Sequence, residues 1–225
     1  MSITDFQFAR KNMVDHQIRC CKVLDATTLD LVESMPRENF VPAHVKSLAY
    51  MEGHVPLPCN QEMHSPLQEA TILSHLALNG SERLLEIGTG TAFLTTMLAI
   101  QAGEVISCEI HKPLAESAAT HLHTHGITNA QVIHINAMDA EAMAARTELQ
   151  QPFDVIVLGA AVKEIPPHIE AMLADGGKLV AFSGQNPVVS LILKTKNGKT
   201  WQEIGLFETL LQDMEGLPEN RQFIF

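Results

Sequence analysis

The stretch Leu84-Leu85-Glu86-Ile87-Gly88-Thr89-Gly90-Thr91-Ala92-Phe93-Leu94 constrains this chain more than any other. It reads as an apolar strand, a tight glycine turn and the first turn of a helix. Glycine at 88 and 90 lets the backbone bend sharply and approach a bound molecule, because no Cβ stands in the way. Farther on, Glu109 ends the apolar run Val105-Ile106-Ser107-Cys108, where a carboxylate accepts hydrogen bonds from ribose hydroxyls. Together they point to a nucleoside cofactor at a strand-turn-helix junction.

A dinucleotide fingerprint requires G-x-G-x-x-G, its third glycine letting helix and strand pack closely, and Phe93 stands at that place. A phosphate-cradling loop requires G-x-x-x-x-G-K-[ST], and no lysine follows these glycines. What fits is the E-x-G-x-G turn of S-adenosylmethionine-dependent methyltransferases, in which an acid at the strand end faces the methionyl ammonium and the sulfonium. Glu86 holds that position. The expected cofactor-binding set is Glu86, Ile87, Gly88, Thr89 and Gly90, with Glu109 and Ile110 on the ribose side. A glycine turn that merely joins strand to helix is the plainer alternative, and the two carboxylates argue against it.

A chain of 225 residues that is 46% apolar buries one sizeable core, enough for an α/β domain with an extension. Fifteen Lys and Arg against 26 Asp and Glu leave a net charge of −11 without a basic run, which speaks against nucleic acid as a partner. The opening residues lack a secretory pattern and no stretch approaches about 18 uninterrupted apolar residues, so a cytoplasmic protein with no membrane partner is expected. Cys20, Cys21, Cys59 and Cys108 lack C-x-x-C or zinc spacing, and reduced thiols are expected.

Residues 1–79 read as a helical and loop-rich segment that covers the site, and residues 80–225 as the nucleoside-binding domain. Thr4 with Gln7 resembles a capping box opening a helix through Phe8, Met13 and Ile18, and Thr27 to Met35 reads as a second short helix. Pro36 and Pro42 bracket a turn, while Gly53, Pro56, Pro58 and Asn60 punctuate a loop too irregular for either periodic element. Pro66 starts a helix with Leu67, Ala70, Leu73 and Ala77 on one face. Short apolar runs at 83–87, 104–109, 131–135, 153–159 and 178–183 then alternate with helical patterns, which predicts a parallel sheet covered on both faces. Runs at 189–195, 201–207 and 221–225 follow without long helices and predict antiparallel pairing, with Asn197-Gly198 as a type I′ hairpin between the first two.

Met35-Pro36-Arg37-Glu38-Asn39-Phe40-Val41-Pro42 is similar to V-P-R-E-x-F-V-P, and Leu85 to Phe93 is similar to L-E-I-G-T-G-S-G-Y. Phe153-Asp154-Val155-Ile156-Val157, Ala160-Ala161, Pro166 and Gly176-Gly177-Lys178-Leu179-Val180 are similar to F-D-x-I-x-V-T-A-A, P and G-G-x-L-V. With Ala49-Tyr50 at the start of a substrate loop, the chain thus resembles the protein-L-isoaspartate O-methyltransferase family over nearly all its length and in the family's order. The resemblance implies an α/β, Rossmann-like S-adenosylmethionine-dependent methyltransferase fold. Its sheet would be mostly parallel and seven-stranded with an antiparallel end, carrying a helical N-terminal extension. S-adenosyl-L-methionine is the implied cofactor, and a protein or peptide carboxylate, L-isoaspartyl, the implied acceptor.

Two stretches depart from the family pattern. Its loop L-P-I-G-x-G-Q-T-I-S-Q-P falls on Val55 to Pro66, so Pro58, Cys59 and Asn60 replace G-x-G. His64 takes the place of the serine beside the reacting methyl, and Ser65 comes one position late. The family's G-D-G, whose aspartate contacts the adenine amino group, falls on Ile135-Asn136-Ala137, where the Asn136 amide oxygen can accept the same hydrogen bond. Pro58, Cys59, Asn60 and Ser65 are the substrate-loop candidates, and His64 is the catalytic one.

A carboxylate acceptor is already ionised near pH 7 and needs no general base. His64 would suit an acceptor that must lose a proton, such as a phenol, or would steady a carboxylate as a cation. As an ordinary loop residue it would face solvent. Two rival readings accompany these departures: a methyltransferase with a changed acceptor, a small molecule included, and a cofactor-binding protein that no longer catalyses. His121 and His125 could share a helix face, yet no acidic third ligand stands at an obvious spacing and no metal is expected. His54 and Cys59 lie in the proline-rich loop without a recognisable partner for chemistry. Asp154 reads as structural, and Ala160-Ala161 as small residues leaving room for the cofactor at a strand's carboxyl end.

Overall fold

Asp5 opens the first helix, α1 (Phe6–Met13), by accepting the Phe8 N–H at 3.0 Å. The structure, a computed structural model, describes residues 5–217, so the Thr4 half of the expected capping box lies outside the described residues. Past Met13 the chain widens into π-helical turns at Val14–Ile18 and tightens into a 3-10 turn at Arg19–Cys21. Asp25 caps α2 (Ala26–Ser34) through the Thr28 N–H at 2.8 Å.

The proline-punctuated loop is more regular than its sequence predicts. It holds a small antiparallel pair, β1 (Val55–Pro56) and β2 (Glu62–Met63), around a 3-10 turn at Pro58–Asn60. Cys59 and Asn60 both take positive φ, 61° and 57°, and the Leu57 N–H closes the turn on the Gln61 carbonyl at 2.8 Å. Pro66 then opens α3 (Pro66–Leu76) behind a complete capping box: Ser65 Oγ accepts the Gln68 N–H and the Gln68 side chain accepts the Ser65 N–H. Ala70 and Leu73 are buried as its apolar face requires, but Ala77 is the exposed C-cap at φ 48°. Gln68, Glu69, Thr71 and Ile72 are buried as well, so more than one face of this helix is enclosed.

Beyond α3 strands and helices alternate as expected: β3 (Arg83–Ile87), α4 (Phe93–Gln101), β4 (Glu104–Glu109), α5 (Lys112–Thr124) and β5 (Ala130–His134). Then come α6 (Ala140–Ala144), β6 (Phe153–Val162), α7 (Pro167–Ala171), β7 (Leu173–Gln185), β8 (Val188–Asn197) and β9 (Thr200–Thr209). Among the described residues seven strands pair in the order β5-β4-β3-β6-β7-β8-β9, parallel through β7 and antiparallel from β7 to β9. The run 221–225 lies outside the described residues. In the last hairpin Asn197 stays in the ladder opposite Thr200, so the turn residues are Gly198 and Lys199, one position later than expected. Gly198 supplies the left-handed φ of 60° that such a turn demands at lowest cost.

Successive side chains of a strand point to opposite faces. Leu84, Val155, Val157, Val180 and Phe182 therefore join one apolar cluster, together with the N-terminal helices, α3 and α4. Leu85, Ile87, Ile156, Leu158, Leu179 and Ala181 join the other. With both faces covered, the parallel strands can be apolar throughout. From β3 the chain builds outward through β4 and β5, then returns to place β6 on the other side of β3. Strand order reverses there, and the crevice outside the carboxyl ends of such strands is where open α/β sheets bind ligands.

Candidate active site

At that reversal the glycine turn leaves β3 with Gly88 at φ 97° and Gly90 at φ 54°. Glu86, just inside the strand, is 1% exposed. Its Oε2 accepts the Thr95 hydroxyl of α4 at 2.5 Å and the Ser107 hydroxyl of β4 at 2.6 Å, and Ser107 in turn contacts the Thr89 hydroxyl at 2.5 Å. Burial pushes the Glu86 carboxyl up to about 7, the Glu109 charge adds to the rise, and the two hydroxyls oppose it. Glu109 at the end of β4 is held at both oxygens by backbone, Oε2 by the Gly90 N–H and Oε1 by the His111 N–H, each at 2.9 Å. Each carboxylate oxygen keeps a second lone pair, so Glu109 is held in one orientation with acceptor capacity to spare.

Asn136 follows β5. Its Oδ1 accepts the Met138 N–H at 2.9 Å and its Nδ2 donates to the Gly216 carbonyl at 3.2 Å. One Oδ1 lone pair stays available for an amino group.

Across the strand ends from Glu109, β6 slips register against β7 between Leu158 and Ala161, and Gly159 and Ala160 leave the ladder there. The Gly159 carbonyl receives the His64 Nε2–H at 2.6 Å, and the His64 ring lies 5.2 Å from Phe182. Desolvation drives the imidazole pKa down to about 4. The part-buried ring is therefore neutral near pH 7: it is neither a solvated loop residue nor a cation that steadies a carboxylate. Arg37, 1% exposed, holds the same corner, pairing with Glu69 and donating from Nη2 to the His64 carbonyl at 2.5 Å. Its guanidinium lies 4.8 Å from the Phe93 ring centroid. Burial raises Glu69 to about 7 against the pull of Arg37, and the Glu86 charge adds to the rise.

One cavity brings together His64, Glu86, Ile87, Gly88, Thr89, Gly90, Glu109, Ile110, Asn136 and Ala137, with Ala160 beside them. Pro58, Cys59, Asn60 and Ser65 do not line it. Ser65 is spent on capping α3, and Cys59 is an exposed free thiol. His54 bonds Gln68 at 3.0 Å, and Asp154 accepts the Arg83 N–H at 2.9 Å. His121 donates from Nδ1 to the Thr91 carbonyl at 2.8 Å and His125 stacks on Phe40 at 4.4 Å, so both rings serve packing and backbone.

Several contributors escaped the sequence reading. Arg37 had a signal, its place in the Met35 to Pro42 landmark, but no visible role; Glu69 lay within an ordinary helix pattern. Thr95 and Ser107 are hydroxyls with no motif of their own. Met214 and Glu215 line the cavity from a segment beyond β9 that showed no pattern.

Among the described residues the lining includes Glu62, Glu69, Glu86, Glu109 and Glu215 and no Lys or Arg. That donor set suits a ligand carrying cationic groups, while Ile110, Leu114, Ile135 and Met138 offer apolar surface for a flat base. Sheet order, glycine bend, the two anchored carboxylates and this lining define the class of Rossmann-like S-adenosylmethionine-dependent methyltransferases.

The family model for protein-L-isoaspartate(D-aspartate) O-methyltransferase matches residues 9–206. The chain belongs to that family. A protein-L-isoaspartate O-methyltransferase of Koribacter versatilis is 33% identical over 91% of this chain and 89% of its own length. One from Shewanella sediminis is 34% identical over 88% and 80% respectively. A crystal structure from Plasmodium falciparum, described as a protein-L-isoaspartate O-methyltransferase in complex with S-adenosyl-L-homocysteine, superposes with a TM-score of 0.77 at 22% identity, covering 91% of this chain and 97% of that one.

Proposed function

We propose that the chain is an S-adenosylmethionine-dependent O-methyltransferase that methylates the carboxylate of L-isoaspartyl residues in proteins or peptides. The observation that carries this reading is the cavity at the strand ends, where Glu86 and Glu109 are both fixed by hydrogen bonds from the chain itself and His64 lines the same space. The cofactor supplies a methyl carbon on a sulfonium leaving group. Glu86 would face the methionyl ammonium, Glu109 the ribose, and Asn136 with Ala137 the adenine edge. In-line transfer to an ionised carboxylate asks the protein chiefly for alignment and exclusion of water, and proximity supplies roughly 7–11 kcal/mol of barrier reduction. A neutral His64, its Nε2–H committed to Gly159, leaves Nδ1 as an acceptor and positions rather than charges the site. Residues 1–79 act as the cover of a methyltransferase domain at 80–225. A cytoplasmic setting agrees with four free cysteines, and a protein rather than nucleic acid partner agrees with the −11 charge.

The test is transfer of labelled methyl to an isoaspartyl peptide and to its aspartyl isomer. Label on the first alone is expected, and label on neither rejects the acceptor. His64→Ala is expected to keep cofactor affinity, read by calorimetry, and to lose most turnover; unchanged turnover removes His64 from the site's chemistry. That no Lys or Arg lines the cavity among the described residues favours one second reading, an uncharged acceptor. It predicts labelled product from a cell extract when the peptide stays unlabelled.

A further inference from the structure

After β9 the chain turns back across the carboxyl ends of the sheet. Beyond the register slip in β6, the Ala161 N–H donates to the Gln212 carbonyl at 2.8 Å and the Met214 N–H donates to the Ala161 carbonyl at 2.7 Å. Asn186 Nδ2 holds the Leu211 carbonyl at 2.8 Å. This lays Met214 and Glu215 along the cavity and brings Gly216 against the Asn136 amide. The fit is so close that a Cβ on Gly216 would stand 2.2 Å from Asn136 Oδ1. The same segment grips the acceptor loop: Gln212 Nε2 donates to the Asn60 carbonyl at 3.0 Å, and Gln61 Nε2 donates to Glu215 Oε1 at 2.6 Å. Glu215 Oε2 also lies 3.3 Å from His111 Nε2, beside the Glu109 anchor.

We propose that residues 211–217 are a strap over the nucleoside half of the cavity, clasped to the 55–63 loop through Gln61 and Glu215, so that the cofactor is released only when the clasp parts. The proposal rests on the cofactor reading above, and its strap follows residues 9–206, the stretch matched by the family model. The ties are few and Glu215 is exposed, so each bond is individually weak. A wall that must open once per turnover needs such ties, because lids are drawn from the least stable parts of a fold. When the clasp parts, the loop leading to His64 loses its hold on the nucleoside wall as well.

The test uses the full chain with Glu215→Ala, Gln61→Ala, the double variant and Glu215→Gln. Amide hydrogen exchange over 55–63 in the ligand-free chain reads the clasp, and stopped-flow dissociation of S-adenosyl-L-homocysteine reads its consequence. Either alanine variant is expected to speed exchange and to raise the dissociation rate about three- to tenfold. The double variant should go no further than Glu215→Ala, in which the Gln61 link is already gone. Glu215→Gln, which keeps an oxygen for Gln61, should stay near the native rate. Unchanged exchange in Glu215→Ala overturns the clasp, and faster exchange with unchanged dissociation overturns its hold on the cofactor. Native chain that takes up no S-adenosyl-L-homocysteine overturns the cofactor reading and with it the hold on the nucleoside, while exchange still reports whether Gln61 and Glu215 tie the two segments.

Discussion

Glu86 carries its carboxyl where water does not reach, with only two hydroxyls and the neighbouring Glu109 to set its charge. In the unfolded chain the group titrates near 4.5, in the folded chain near 7. Between those values the folded state holds a proton that the unfolded state has released, so stability falls as pH rises through the window, and the penalty is fully present above it. Glu86→Gln removes the titration. Its stability relative to the native chain should therefore improve by about 2–3 kcal/mol from about pH 5 to about pH 8 in urea unfolding. Subtracting one chain from the other cancels His64, whose depressed pKa acts in the opposite sense. A flat difference would mean Glu86 titrates normally. At Gly159 an added Cβ would lie 3.1 Å from the Gly88 carbonyl and 3.5 Å from the His64 ring. Gly159→Ala should thus weaken cofactor binding by about 1–3 kcal/mol in calorimetry. Glu86 was legible because its chemistry is tied to a glycine turn at fixed spacing. Glu69 and Gly159 were not, because the first meets Arg37 and the second meets His64 only after distant segments fold together.

The elements that the sequence revealed most clearly are those whose signals are local: apolar runs for β3, β4 and β6, glycines for the turn, Pro66 for the start of α3. Ser65 shows how a local signal can be assigned to the wrong task, since a serine before a proline is as good a helix cap as a loop ligand. Ser65→Ala should cost about 1 kcal/mol in chemical denaturation, and Ser65→Asp should recover most of it, because a carboxylate caps the same N–H groups. Failure of aspartate to recover stability would show that the Gln68 N–H is satisfied otherwise. The last hairpin slid by one residue because Asn197 and Gly198 both tolerate positive φ, and only the ladder decides which one turns. The short β1–β2 pair and the strap are held by bonds between segments far apart in sequence, such as Gln61 with Glu215, which no window along the chain contains.

At the scale of the whole molecule, one apolar cluster runs from Met13 and Ile18 through α3 and α4 to Phe182 and Leu211. The N-terminal cover and the sheet thus share their packing, and they should unfold together. Fluorescence of the single tryptophan, Trp201 in β9, and far-UV circular dichroism, dominated by the helices, should give coincident urea transitions. Separate midpoints would show that the cover melts independently. Seven strands in this order are enough to shape a sheet, yet one wall of its cavity comes from Met214 and Glu215, which follow the last described strand. During synthesis, a chain emerging from the ribosome exposes these seven described strands before the residues that finish its ligand chamber. Growing polypeptides with these seven strands outside the exit tunnel still lack Met214 and Glu215 of the cavity wall, and on the strap proposal nucleoside retention is expected only once translation has passed Gly216.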